Sequence, residues 1–161
     1  MTIAEYNLCV EKFADNVYRF ALKNLNNTDE AKDVVQDSYE KLWIKYDTID
    51  YSKAKSYLFS VAYHKTIDII RRVKKSIELT DDISVTDINF ENSANLREIL
   101  EMAIKKLPEI QRSALLLRDY EGYTYKEIEE IMLLTESQVK VYIYRARKFL
   151  MNYIRSIENV V

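Results

Sequence analysis

A chain of 161 residues with a single glycine and a single proline has few places where the backbone can reverse tightly. Sheet proteins depend on such places, because hairpin turns consume glycine, asparagine–glycine pairs and proline. Helices joined by polar connections need far fewer. The sequence therefore predicts an all-α fold. Its length suits one ordinary domain or two small ones.

Several chemistries are disfavoured from the outset. Cys9 has no second cysteine to pair with, and His64, the lone histidine, cannot build a zinc site with it. No nucleophile–base pair or ligand cluster stands out, so neither an enzyme nor a metal or cofactor is expected. No stretch reaches the roughly 20 apolar residues that span a bilayer. The opening MTIAEYNLCVEKF has acidic residues early and lacks the basic head and apolar core of a signal peptide. The expectation is a soluble, reduced, cytoplasmic protein without direct membrane insertion.

Net charge is −2, which alone argues against an autonomous nucleic-acid binder. The distribution of charge is more informative. Lys53, Lys55, Lys65, Arg71, Arg72, Lys74 and Lys75 form a basic stretch opposed only by Asp68, and Arg145, Arg147, Lys148 and Arg155 form a second. Between them lies an acidic run with Glu78, Asp81, Asp82, Asp87 and Glu91. This pattern suggests two basic surfaces separated by an acidic tether.

Apolar spacing fills in the elements. Tyr6, Val10, Phe13, Val17 and Ala21 recur every three or four residues, which predicts a helix ended by Asn24-Leu25-Asn26-Asn27. Thr28 is placed to cap a second helix, with Asp29 and Glu30 at its positive end and Ala31, Val35, Ser38, Leu42 and Tyr46 inward. Ser52 is placed to cap a third, from about Lys53 to Lys75, packing Leu58, Val61, Ala62, Ile69 and Ile70. The helical pattern then fades from Ser76 to Asn92. That segment reads as a linker whose Ile83, Val85, Ile88 and Phe90 could dock, or as a surface loop of one larger domain. The boundaries expected are 1–75, a flexible acidic linker at 76–94, and 95–161.

In the last part, Leu96, Ile99, Leu100, Ala103 and Leu107 line one helix, and Pro108 can begin another that buries Ile110, Ala114 and Leu117 and stops at Gly122. Thr124-Tyr125-Lys126-Glu127 and Thr135-Glu136-Ser137-Gln138 are both capping boxes. Start signals so close leave room for one short helix and a tight turn before a longer helix. That is the plan of a helix-turn-helix. With Val139, Ile143 and Ala146 inward, Ser137, Val141, Tyr144, Arg145 and Lys148 project outward and Lys140 lies at the border. Early outward positions suit base edges, while Arg145, Arg147 and Lys148 suit phosphates. The alternative is a solvated basic face.

The third helix mixes Tyr57, Phe59, Tyr63 and His64 with Lys55, Lys65, Arg71 and Arg72. Rings that stack on unpaired bases beside cations that hold the strand are the means of single-strand binding. These rings cannot all point inward with Leu58 and Val61, so some are expected to be accessible. The second helix carries Asp33, Gln36, Asp37 and Glu40, with Trp43 near its end. This is either a protein-docking face or a solvated face with Trp43 in the core.

The stretches DEAKDVVQDSYEKLWIKYDTID and SYLFSVAYHKTIDIIRR resemble region 2 of sigma-70-type sigma factors. LPEIQRSALLLRDYEGYTYKEIEEIMLLTESQVKVYIYRARKFL resembles their region 4. With only these two regions and a short linker, the chain is similar to the extracytoplasmic function (ECF) group. The resemblance implies that Asp33, Gln36, Asp37, Glu40 and Trp43 grip the clamp coiled coil of core RNA polymerase. It implies that Asp47 through Arg72, with Lys55, Tyr57, Tyr63, His64, Lys65, Arg71 and Arg72, open the −10 element of promoter DNA and capture a flipped base. For region 4 it implies that Glu136, Ser137, Gln138, Lys140, Val141 and Tyr144 read the −35 element and that the inner helices seat the polymerase flap tip. An anti-sigma factor is also expected. The chain departs from the pattern at Leu133, where glycine is common in the turn, at Val141 and Tyr142, where serine and arginine are common, and at His64 in place of asparagine. The competing expectation is an autonomous helix-turn-helix regulator that binds a palindromic duplex without polymerase.

Overall fold

The structure, a computed structural model, describes residues 1–80 and 95–158. The acidic residues Asp81, Asp82, Asp87 and Glu91 and the docking candidates Ile83, Val85, Ile88 and Phe90 lie outside the described residues.

Helix α1 spans Ile3–Leu25 and opens on a capping box in which Thr2 and Glu5 satisfy each other's backbone amides. It closes at Asn26, which takes the left-handed conformation (φ 53°). Its core stripe runs through Cys9, Val17, Phe20, Ala21 and Asn24. Val10, expected inward, is exposed, because one residue's step along the helix carries it about 100° away from Cys9. Helix α2 spans Thr28–Lys45 and is capped by Asn27, whose side chain accepts from the Glu30 amide. Thr28, the expected cap, is the first helical residue instead. Asparagine and threonine are both good caps, and the run Asn26-Asn27-Thr28 offered several registers.

A single 3₁₀ turn, Tyr46–Thr48, leads to helix α3, Tyr51–Thr80. The expected cap Ser52 sits inside its first turn. The helix also continues five residues past Lys75, so the segment expected to begin the linker is helical there. Nothing in Ser76-Ile77-Glu78-Leu79 breaks a helix, and Leu and Glu favour one. Leu58, Ala62 and Ile69 of α3 are buried as expected, but so are Phe59, Tyr63, Thr66 and Ile67. A helix buried this widely has partners on more than one side.

The second half contains α4 (Leu96–Lys106), α5 (Glu109–Leu115), α6 (Tyr125–Met132) and α7 (Glu136–Glu158). Pro108 precedes α5 as expected. Helix α5 widens into a π turn at Leu116–Tyr120, and Gly122 then takes a positive φ of 76°, which ends the element. Leu115, Leu116, Leu117, Ile128, Ile131, Val139 and Ile143 form the core of this half.

The two halves are packed against each other. Helix α6 lies on α3, and α5 touches α1. Phe59 bridges the two cores: its ring meets Phe20 edge-on at 5.7 Å on one side and Tyr123 at 5.3 Å on the other. Burying such rings is worth about 1.5–3 kcal/mol each. Polar contacts complete the seam. Ser60 Oγ donates to the Ile131 carbonyl at 3.1 Å, Arg112 Nε donates to Asn24 Oδ1 at 2.9 Å, and Arg19 pairs with Glu121 at 3.1 Å.

Candidate nucleic-acid interface

Helices α6 and α7 form a helix-turn-helix built from local signals. Thr124 and Glu127 make the reciprocal cap that starts α6. Thr135 and Gln138 do the same for α7: the Gln138 amide donates to Thr135 Oγ1 at 3.2 Å and the Thr135 amide to Gln138 Oε1 at 2.9 Å. The turn between them places Leu133 in the left-handed region (φ 55°, ψ 49°), where a leucine carries strain. Its side chain is 75% exposed.

Val139, Ile143 and Ala146 anchor α7 in the core, which leaves Glu136, Ser137, Gln138, Lys140, Val141, Tyr144, Arg145 and Lys148 exposed along the opposite face. Glu136 and Lys140 form an ion pair at 2.8 Å one turn apart, and this pairing holds the Glu136 carboxyl below its usual range and the Lys140 ammonium above. Lys140 also stands 5.9 Å from the centre of the Tyr125 ring. Arg147 was expected to face phosphate. It is exposed and makes a two-pronged contact with Asp119 at 2.6 and 3.1 Å, which ties α7 to the end of the α5 segment. No local pattern in the sequence could pair residues so far apart.

The α3 residues divide by environment. His64 is exposed, with Nδ1 2.7 Å from the Ser60 carbonyl of its own helix. Arg71 and Arg72 are exposed, and Arg72 reaches Glu30 at 3.3 Å. Lys65 pairs with Asp37 at 3.0 Å, which brings together one residue expected at DNA and one expected at polymerase. Lys55 sits between the halves, 4.9 Å from the Tyr123 ring centre and 5.7 Å from that of Phe13. Tyr57 is half-buried and lines a cleft of about 610 Å³ with Thr48, Ser52 and Lys53 on one wall and Glu127 and Glu130 on the other. Tyr63, expected among the accessible rings, is only 6% exposed. The reason is the second packing partner of α3, which the sequence did not reveal. Burial pushes the Tyr63 phenol up; Arg71 opposes this, and Glu109 and Tyr142 add to it.

On α2, Asp33, Gln36 and Glu40 are exposed and Asp37 half-buried, with Gln36 bonded to Glu40 at 3.4 Å. Trp43 is 47% exposed rather than a core residue. It is held by aromatic neighbours, stacked on Tyr46 at 5.1 Å and edge-on to Tyr6 at 5.0 Å. The backbone nitrogen of Met1 donates to the carbonyls of Tyr46 and Ile49, both at 2.8 Å, which fixes the turn between α2 and α3.

The sequence reading missed the seam itself. No local signal marked it: Arg112 stands in the polar triplet Gln111-Arg112-Ser113, which as sequence reads as a solvated stretch.

Profiles of two conserved regions match the chain: Sigma-70 region 2 over residues 9–76 and Sigma-70 region 4 over residues 97–150. The ECF RNA polymerase sigma factor SigM of Bacillus subtilis (strain 168) is 32% identical over 153 residues, covering 92% of each chain. The chain belongs to the ECF group of the sigma-70 family. This sigma factor is also 26% identical over 164 residues to ECF RNA polymerase sigma factor SigW of the same organism, covering 92% of this chain and 88% of SigW. Among solved structures, its fold matches that of the sigma factor RpoE in a co-crystal with the anti-sigma factor NepR from Bartonella quintana. The TM-score is 0.79 at 20% identity, covering 95% of this chain and 98% of that one. CnrH in complex with the cytosolic domain of CnrY matches with a TM-score of 0.69 at 21% identity, covering 94% and 88%. The region 2 match falls on α1–α3 and the region 4 match on α4–α7, and the two halves are called by those names below. Among the described residues, no helix is long and apolar enough to cross a membrane.

Proposed function

We propose that this sigma factor brings core RNA polymerase to promoters in the cytoplasm by positioning alone, with no catalytic step of its own. The observation that carries the reading is α7: its inner face is locked by Val139, Ile143 and Ala146, and its outer face presents polar, aromatic and basic groups in order. The early turns, Glu136, Ser137, Gln138, Lys140, Val141 and Tyr144, would enter the major groove at the −35 element, while Arg145 and Lys148 hold phosphates. Lys55, Tyr57, His64, Lys65, Arg71 and Arg72 would take the opened strand of the −10 element by stacking and charge. The α2 face of Asp33, Gln36, Asp37, Glu40 and Trp43 would dock on the polymerase clamp, and the inner helices of region 4 on the flap tip. An anti-sigma factor is the natural inhibitor, since RpoE was solved with the anti-sigma factor NepR.

The test is run-off transcription with bacterial core polymerase on genomic fragments. Discrete start sites that appear only with this protein support the reading. If none appear and the protein does not bind core polymerase, the reading fails.

A further inference from the structure

We propose that the cavity between α1 and α4 binds a small phosphate monoester, with the phosphoryl group held by Arg19, Lys23 and Lys105 and a compact apolar body against Leu22 and Ile104. The cavity encloses about 240 Å³, and those five residues line it together with Glu101. Sites for drug-sized ligands run from about 300 to 1,000 Å³, so the occupant here is limited to a single ring or short chain with its phosphate. None of the lining residues is among those proposed to touch promoter DNA or the polymerase clamp.

Positive charge is in excess around this cavity, in a chain whose net charge is −2. Lys23 and Lys105 stand in the last turns of α1 and α4, where a lysine ordinarily answers the negative end of its helix. Another residue fills that role in this fold. Arg112 donates to the Asn24 carbonyl at the end of α1 and to the Lys105 and Leu107 carbonyls at the end of α4. The Asn26 amide takes the Leu22 carbonyl at 2.8 Å. The carboxylates nearby are engaged as well. Glu121 pairs with Arg19 at 3.1 Å, Glu101 with Arg97 at 3.5 Å and Glu109 with Lys74 at 3.0 Å. Among the described residues, neither Lys23 nor Lys105 forms an ion pair. Lys23 lies over the Tyr120 ring instead, 3.4 Å from its centre. Burial pulls the Lys23 ammonium pKa down, and Arg19 and Arg97 add to this against Glu101 and Glu121. An ammonium so placed gains from an arriving anion.

The donors select the anion. A phosphate monoester carries a charge of about −1.5 to −2 at neutral pH and offers three acceptor oxygens, which suits three cationic side chains from two helices. A carboxylate brings one charge and two oxygens. Leu22 and the buried Ile104 supply an apolar wall, and the lysine stems extend it.

The test is titration calorimetry on the full chain with phenyl phosphate. Saturable one-to-one binding at about 1 mM or tighter is expected. Lys105→Gln should weaken it about tenfold, the loss of one charge-assisted hydrogen bond. Because Lys105 is exposed, the variant should keep the wild-type thermal midpoint when no ligand is present. Lys126→Gln removes the same charge from the exposed side of α6 and should bind as the wild type does. Inorganic phosphate, which lacks the ring, should bind about tenfold more weakly, and so should benzoate, which lacks the second charge. Phenyl phosphate should also raise the thermal midpoint of the wild type more than that of Lys105→Gln, since a ligand that touches both helices binds only the folded chain.

Absence of saturable binding overturns the proposal. So does an equal effect of Lys105→Gln and Lys126→Gln, which would reduce the attraction to net charge. Inorganic phosphate or benzoate binding as tightly as phenyl phosphate overturns the ligand class. These outcomes are independent of the sigma reading, which stands or falls on transcription.

Discussion

Arg112 Nε and Asn24 Oδ1 meet at 2.9 Å in the buried seam, so an arginine of region 4 is held by a neutral amide of region 2. Its other contacts are also neutral: Nη1 donates to the Lys105 and Leu107 carbonyls at 3.3 and 3.2 Å, and Nη2 to the Asn24 carbonyl at 3.4 Å. The Lys105 and Leu107 carbonyls lie at the C-terminal end of α4, where the helix dipole favours a cation. Burial pulls the guanidinium pKa down, and Glu109 opposes this. Replacing Arg112 with alanine strands several buried acceptors at once and should cost about 3 kcal/mol, since each unsatisfied group costs about 1–3. Arg112→Lys should not restore the loss, because a single ammonium cannot reproduce the planar fork. Urea denaturation of the three proteins measures both effects.

Leu133 pays for its place in the turn with a left-handed backbone and gains little burial in return. Leu133→Gly should therefore stabilise region 4 by about 1 kcal/mol, the usual cost of that conformation for a residue with a Cβ. The measurement is the thermal midpoint, which should rise without any change in start-site choice. A lower midpoint would mean that the leucine side chain contributes more at this turn than its exposure suggests.

These two residues show how far the sequence could be read. The helix-turn-helix was legible because capping boxes and apolar spacing are local, and Thr124, Thr135, Val139 and Ile143 each lie where their neighbours dictate. Exposure of Ser137, Val141, Tyr144, Arg145 and Lys148 follows from the same helical period. The seam was not legible, because Phe59 and Tyr123, or Asn24 and Arg112, are far apart in the chain and no spacing rule joins them. That is why Tyr63 was expected at DNA and lies inside, and why the contact of Arg147 with Asp119 was not foreseen.

Two residues on α7 should respond in different ways in the polymerase complex. Tyr144, exposed on the early outer face, is placed to touch base edges, so Tyr144→Ala should weaken use of the −35 element by about 1–3 kcal/mol and relax its sequence preference. Lys148, two positions past the buried Ala146, suits phosphate. Lys148→Ala should weaken binding alike on all promoters and lower the salt dependence by about 0.9 in log–log slope. Titrations at several salt concentrations, on matched and altered −35 sequences, separate the two roles. Identical behaviour of the two variants would remove the distinction drawn between them.

Acid should weaken the seam through Glu109. A hydrogen bond to its own backbone amide, helped by Lys74 and Arg112, holds the Glu109 carboxyl below the usual carboxylate value against the opposing effect of burial. A depressed pKa in the folded state means that its contribution is complete above the unfolded carboxylate value, about 4.3, and is lost as pH falls through the folded value. Stability should therefore decline on acidification below that point, and Glu109→Gln should show a shallower decline. Denaturation midpoints recorded from neutral pH downward give the comparison. Equal slopes would show that Glu109 is not preferentially ionised in the fold.

Tyr123 offers the sharpest separation of shape from polarity at the seam. Its ring lies between Phe59 and Lys55 and is 3% exposed, while its hydroxyl is buried without a protein partner. Burial, together with the charges of Glu127 and Glu121, pushes the phenol far above its ordinary pKa, so the group stays neutral at any working pH. Tyr123→Phe keeps the edge-on contact and removes an unsatisfied polar atom, and should leave stability unchanged or raise it by about 1 kcal/mol. Tyr123→Ala removes the ring and should cost about 3–5 kcal/mol, the range for a large aromatic lost from a core. Urea denaturation of the pair decides whether shape alone holds this part of the seam. A clear loss in the phenylalanine variant would mean that the hydroxyl is bonded in solution and that the junction of Phe59 and Tyr123 is not held by packing alone.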